Sequence, residues 1–218
     1  MTVRLAVFDC DGTLVDGQAS ICDAMDRAFA QAGLAAPERN AVRRIVGLSL
    51  PQAVRRLLPG HDDALHLAIA ESYKQAFRQA RAAGELSEPL FAGIAETLAA
   101  LHEAGWLLGV ATGKSDKGLE HCLAMHGLSA AFVTLQTADR HPSKPHPAML
   151  EAALDAALAE PASSVMIGDT AFDMAMAVAA GVPAVGVAWG YHDPAELEAA
   201  GAAFVARTPA ELTEYLLR

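Results

Sequence analysis

The chain has 218 residues, enough to bury a sizeable core and to hold one full domain with a smaller insertion. Hydrophobic residues make up 53% of it but fall in short runs, which excludes a membrane span of about 20 uninterrupted apolar residues. A formal net charge of −10 excludes a nucleic-acid backbone as partner, which needs clustered Lys and Arg, but leaves room for a small anion held by a few local cations.

Met1 to Arg4 runs straight into an apolar segment and leaves no room for a signal peptide. Cys10, Cys22 and Cys122 are odd in number and form no C-x-x-C pair, so they are read as reduced and buried, and a cytoplasmic location is expected. Leu5 to Phe8 predicts a buried strand, and it stops at Asp9-Cys10-Asp11-Gly12-Thr13-Leu14. In extended chain, side chains at i and i+2 face the same way, so Asp9 and Asp11 can share one site while Cys10 faces the other side. Two carboxylates that close need a cation, a proton or a chemical task between them. The same string also fits an ordinary polar turn.

Ile21, Met25 and Phe29 lie four apart and predict a helix that stops at Gly33. Pro37 opens a second helix through Val46, Gly47-Leu48-Ser49 breaks it, and Leu50 to Leu58 forms a third with Ser49 as its cap. Asp62 to Ala83 is a long helix with Leu65, Ile69, Tyr73 and Phe77 on one stripe, ended by Gly84.

From Gly93 the rhythm changes. Helices are predicted at 94–104, 116–126, 147–158, 170–180, 194–200 and 209–217, alternating with strands at 107–111, 132–135, 165–167, 184–187 and 204–206. This alternation implies an α/β fold: a Rossmann-like parallel sheet core with helices on both faces. The all-helical stretch is too long for a crossover, so residues 16–90 are read as an inserted helical cap domain and residues 1–15 plus 91–218 as the core. Open α/β sheets bind ligands beyond the carboxyl ends of their strands, where the cap is expected to sit.

Three further segments carry polar groups to that end. Thr112-Gly113-Lys114-Ser115 follows a strand and precedes a helix, which suits an anion such as phosphate, although Thr112 can equally satisfy a turn, Ser115 cap a helix and Lys114 stay solvated. Lys144 lies in Pro142-Ser143-Lys144-Pro145-His146-Pro147, where three prolines stiffen the chain around a cation suited to a phosphate oxygen or the carboxylates. Asp169 follows a strand and Asp173 comes one helical turn later, so that with Asp9 they form the oxygen-rich cluster a hard divalent cation such as Mg²⁺ requires. Alternatively, Asp169 caps the helix and Asp173 favours its positive end. The eight histidines fall in no zinc pattern.

D-x-D-G-T-L, a strand-terminal T-G, a K-P and G-D-x-x-x-D, in this order with a helical insert after the first, resemble the haloacid dehalogenase superfamily of phosphohydrolases. The small helical cap and Trp189-Gly190-Tyr191 look most like its phosphoglycolate phosphatase branch. The resemblance implies that Asp9 attacks phosphorus and that Asp11 serves as acid and then base. It also implies that Thr112, the Gly113 amide and Lys144 hold phosphoryl oxygens, and that Mg²⁺ is bound by Asp9, the Asp11 carbonyl and Asp169, with Asp173 a ligand or an orienting group. An acid at position 11 favours phosphorus transfer over dehalogenation. The implied partner is a small phosphorylated metabolite, phosphoglycolate or a sugar phosphate. Substrate choice is expected in the cap, where Arg43, Arg44, Gly47 and Ser49 occupy a helix break; Tyr191 and His192 are placed near the mouth by position. Two other readings are a sugar phosphomutase resembling β-phosphoglucomutase and a non-catalytic phosphoacceptor domain. The sequence leaves the oligomeric state open.

Overall fold

Leu5, Ala6, Val7 and Phe8 offer no polar side chain, so a strand made of them is stable only with both faces covered. In the computed structural model, which describes residues 2–218, that segment is Arg4–Phe8 (β1). Trp106–Thr112 (β2), Thr134–Thr137 (β3), Ser164–Gly168 (β4), Ala184–Val187 (β5) and Phe204–Ala206 (β6) join it. They form one parallel sheet in the order β3-β2-β1-β4-β5-β6. Strand order reverses at β1, which lies between β2 and β4, and such a switch point opens a crevice at the carboxyl ends. Phe8 is in register with Val110 and Ile167, so Asp9 and the segments after β2 and β4 leave the sheet together.

Alternation along β1 divides the core. Ala6 and Phe8 pack with Ile94–Glu103 (α5), Asp116–Met125 (α6) and Pro209–Leu216 (α10) on one face. Leu5 and Val7 pack with Ala148–Ala157 (α7), Ala171–Ala179 (α8) and Pro194–Ala199 (α9) on the other. A side chain such as Phe8, fully withdrawn from water, contributes about 1.5–3 kcal/mol.

Between β1 and α5 lie Gln18–Gln31 (α1), Arg39–Arg43 (α2), Leu50–Leu57 (α3) and Asp63–Ala82 (α4). These four helices bury their own apolar cluster, with Ile21, Met25 and Phe29 against Val54 and Ile69. The two chain crossings between these helices and the sheet run side by side: Asp16 N donates to Pro89 O and Phe91 N to Leu14 O. Among the described residues, no helix is long and apolar enough to cross a membrane.

Three elements differ from expectation. The helix expected over 37–46 is reduced to α2, because residues 44–47 turn to lay backbone against the sheet's carboxyl end. Ser49 precedes α3 but its side chain does not cap it; its amide instead donates to Ser143 Oγ at 2.8 Å. The strand expected over 132–135 lies two residues later, since β3 is fixed by pairing with Gly109–Thr112 rather than by its own apolar residues.

Candidate active site

Each predicted polar residue at a strand end has a defined place. Asp9 follows β1 directly and is fully buried. Lys144 reaches it from the proline-stiffened loop, with Nζ 2.9 Å from Asp9 Oδ1 and 2.6 Å from Asp173 Oδ1. Asp173 Oδ2 accepts from the amide and hydroxyl of Thr170, closing a capping box at the start of α8. The cap of α8 is therefore Thr170, not Asp169. Both oxygens of Asp173 are engaged, one by Lys144 and one by Thr170.

Asp169 is held on two sides. Its Oδ1 accepts from Thr13 Oγ1 at 2.8 Å and its Oδ2 from the Tyr191 amide at 2.9 Å. Gly12 makes this approach possible: its φ is +85°, and a side chain there would collide with the Asp169 carboxylate. Trp189 Nε1 donates to Thr13 O and ties the segment after β5 to the same turn. His192 accepts from the Ala171 amide through Nδ1, so it braces α8.

Carboxylate oxygens of Asp9, Asp169 and Asp173 all lie within 4.8 Å of one another. Burial pushes the Asp9 carboxyl up to about 7 against the pull of Lys144, and Asp173 and Asp11 add to the rise. Burial likewise pushes Asp169 well above the carboxylate range, with Asp9 and Asp173 adding to it. Lys144 stays firmly charged despite its burial because Asp173 and Asp9 flank it. The cluster thus resists carrying its full negative charge without more positive charge than one lysine supplies. Oδ1 of Asp9 is met by Lys144, and Oδ2 has no hydrogen-bond partner among the described residues.

Asp11 faces the same cavity but pairs with a different cation. Lys114 Nζ lies 3.0 Å from Asp11 Oδ1 and 2.5 Å from Glu88 Oε1. Lys114 is therefore not a solvated charge but a buried bridge between two acids. Burial raises the Asp11 carboxyl, and Lys114 opposes the rise. Glu88 was invisible in the sequence, standing alone before Pro89 without a motif; Lys114 had one clue, its place beside Thr112-Gly113. Cys10 turns away as expected and meets Cys122 on α6, with sulfurs 3.9 Å apart; all three cysteines are free and buried.

The cavity has a volume of about 660 Å³ and is lined at its base by Asp9, Asp11, Thr112, Gly113 and Lys114. Thr112 Oγ1 accepts from the Lys114 amide, so it serves the turn while facing the cavity. A Cβ on Gly113 would lie 2.5 Å from the Leu48 carbonyl oxygen, so the 44–48 turn seats directly on this glycine.

The expected specificity residues divide. Gly47 and Ser49 line the cavity. Arg44 does not: its guanidinium pairs with Glu196 on α9, joining the helical segment to the sheet layer. Arg43, the last residue of α2, does not line it either. Instead Tyr73, Lys74, Phe77, Arg78 and Arg81 of the α4 region face the cavity. The stripe noted in the sequence, Tyr73 with Phe77, is the signal that could have found them. Lys74 and Arg78 are paired with Glu71, whereas Arg81 has no ion-pair partner among the described residues and a buried Nε without a hydrogen bond.

Comparison with known proteins is consistent across the whole chain. The sequence profile described as haloacid dehalogenase-like hydrolase matches residues 6–187. A protein of Dickeya dadantii (strain 3937) named probable phosphatase IndB is 36% identical over 200 residues, covering 90% of this chain and 86% of the relative. A phosphoglycolate phosphatase of Vibrio vulnificus (strain YJ016) is 30% identical over 223 residues, covering 99% of this chain and 96% of the relative. The crystal structure of a predicted phosphatase from Clostridium acetobutylicum superposes with a TM-score of 0.89 at 23% identity, covering 100% of this chain and 99% of the other; at that identity it speaks for the fold.

Proposed function

The chain belongs to the haloacid dehalogenase-like hydrolase family, and on that footing we propose a phosphatase that hydrolyses a small phosphate monoester through an aspartyl phosphate on Asp9. The observation that carries this reading is the placement of Asp9: buried and lining the cavity, with Oδ1 ion-paired to Lys144 and Oδ2 without a partner among the described residues. A carboxylate held this way is a competent nucleophile.

In the first step an Asp9 oxygen bonds to phosphorus while the bond to the leaving oxygen breaks, and that oxygen takes the proton of Asp11. In the second, water attacks phosphorus, gives a proton to Asp11, and Asp9 departs as a carboxylate with phosphate released. One side chain alternating as acid and base contributes about 10²–10⁴-fold. Lys144, Thr112 and the Gly113 amide are assigned to the phosphoryl oxygens, where fixed donors stabilise developing charge.

The donor set fits Mg²⁺: hard carboxylate oxygens from Asp9 and Asp169, an unpartnered Oδ2 on Asp9 among the described residues, and a cluster that carries its charge reluctantly. The Asp11 carbonyl is the further assigned ligand, and Asp173 contributes by holding Lys144. When bound, the ion supplies positive charge that screens Asp9 from an anionic substrate and polarises the phosphoryl group.

Residues 16–90 are read as a cap over a core of 1–15 and 91–218, supported by their separate apolar cluster. Specificity is assigned to the α4 wall, with Arg81 as the cation for a second anionic group such as a glycolate carboxylate. Phosphate release from a panel that includes phosphoglycolate and sugar phosphates, measured with and without an added sugar-phosphate acceptor, tests the reading. Turnover independent of the acceptor supports hydrolysis; product formed only with the acceptor shows a mutase, and a stable phosphoprotein without turnover shows a phosphoacceptor.

A further inference from the structure

Glu88 lies outside every motif, yet its side chain is only 1% exposed, in a segment whose neighbours Ser87 and Pro89 are open to solvent. Burying a carboxylate is costly unless it is paired and hydrogen-bonded. Its pairing is specific: Glu88 Oε1 takes a hydrogen bond from Lys114 Nζ at 2.5 Å, and the same ammonium lies 3.0 Å from Asp11 Oδ1. The backbone of Glu88 is fixed as well, since its carbonyl bonds His126 Nε2 at 2.8 Å just past α6. Gly17, on the adjacent crossing, leaves space for the cluster: a Cβ there would lie 2.8 Å from Asp11 Oδ1 and 3.6 Å from Glu88 Oε1.

We propose that Glu88 is a positioning residue for leaving-group departure, acting through Lys114 to set where the Asp11 carboxyl points. An ammonium has three donors on a flexible stem and no preferred direction of its own. With Glu88 holding one donor, Lys114 meets Asp11 from a fixed side, at Oδ1. Without Glu88, Lys114 is free to follow Asp11, and the carboxyl loses its fixed aim at the leaving oxygen. A displacement of about 1 Å at a reacting group is enough to cost on the order of 10²-fold. This inference rests on the proposed role of Asp11 as acid.

The experiment compares kcat/KM, which reports steps through the first phosphoryl transfer, for substrates that differ in their need for a proton on departure. An alkyl phosphate requires it, while 4-nitrophenyl phosphate and acetyl phosphate leave largely unaided. In Glu88→Gln, which keeps the size and an acceptor, kcat/KM for the alkyl phosphate is expected to fall at least about tenfold more than for acetyl phosphate. In Lys114→Gln the same disparity is expected, and the double variant is expected to be no worse than the poorer single one, because the two act in series. An equal loss on all three substrates makes Glu88 merely structural, and no loss removes it; either result overturns the proposal. Additive losses in the double variant also overturn it, by showing that Glu88 does not act through Lys114. Asp11→Asn separates this from the underlying reading: if it too shows no leaving-group disparity, the assignment of Asp11 as acid fails rather than that of Glu88.

Discussion

The site has two halves, each a lysine between two buried carboxylates, and they are assembled from different parts of the chain. Lys144 joins Asp9, at the end of β1, to Asp173 on α8, and all three belong to the sheet layer. Lys114 joins Asp11 to Glu88, which arrives on the segment returning from the four helices. On the proposed mechanism, the nucleophile is thus set by groups that the sheet alone positions, whereas the acid–base group is completed by a residue the helical segment delivers. The difference teaches that attack and leaving-group departure are separable here, and that substitutions in the two halves should fail differently.

The largest effects are expected in the Lys144 half. Asp9→Asn should abolish hydrolysis of an aryl phosphate, a loss above about 10³-fold, with circular dichroism unchanged; retained activity would remove Asp9 as the nucleophile. Lys144→Met should lose activity and also stability, because removing one partner of a buried pair costs about 3–5 kcal/mol. That corresponds to a fall of roughly 10 °C in Tm for a chain of this size, readable by calorimetry. Lys114→Met should lower Tm by less, since Lys114 and Asp11 are 9% and 11% exposed whereas Lys144 and both its partners are withdrawn from water, although Glu88 is left buried without its cation. Equal falls in Tm would show that the two halves are not distinct in their energetics.

Metal removal sharpens the same contrast. Excess chelator should silence the enzyme and Mg²⁺ restore it, and Mg²⁺ should raise the Tm of the wild type by relieving repulsion among Asp9, Asp169 and Asp173. Asp169→Asn should lose that Tm rise, whereas Glu88→Gln should keep it. Full activity in excess chelator would contradict the metal assignment.

The same division explains what was legible in advance. The parallel sheet and its alternation with helices follow from apolar runs and their spacing, whereas the strand order does not. Lys144 could be read because three prolines surround it, and Asp9, Asp11, Thr112 and Asp169 because they stand where such runs stop. Their positions are set by backbone periodicity, which a sequence displays. Glu88 could not be read so, because it lies beyond the helices on the returning segment and has no local signature, whereas Arg81 continues the Tyr73–Phe77 spacing on α4, where an arginine reads as a solvated charge. Arg44 misled for a related reason: an arginine at a helix break suits a substrate carboxylate, yet here its partner is Glu196, 152 residues away.

Arginines therefore offer a smaller test on the helical side. Arg81→Ala should raise KM for a substrate with a second anionic group by about tenfold, the scale of one charge-assisted hydrogen bond, and leave kcat nearly intact. Arg44→Ala should leave KM within about twofold, because its guanidinium is engaged by Glu196 and does not line the cavity. The reverse pattern would return specificity to the break between α2 and α3.

The smallest expected effect concerns the Arg44–Glu196 pair itself. Hydrogen bonding to Arg44 and to the Asp193 amide draws the Glu196 carboxyl down to about 2 from its ordinary 4.5. A group whose folded value is depressed stabilises the protein fully above the unfolded value, and that contribution disappears as pH falls through the folded one. Wild type should therefore melt above Glu196→Gln by a constant small margin from pH 7 to about 5, narrowing progressively between 4.5 and about 2. Both side chains are 37% exposed, so solvent screens the pair and the margin should shrink further in high salt. Calorimetry across pH at two salt concentrations reads both trends. A margin that ignores pH would mean that Glu196 holds α9 through its size rather than its charge.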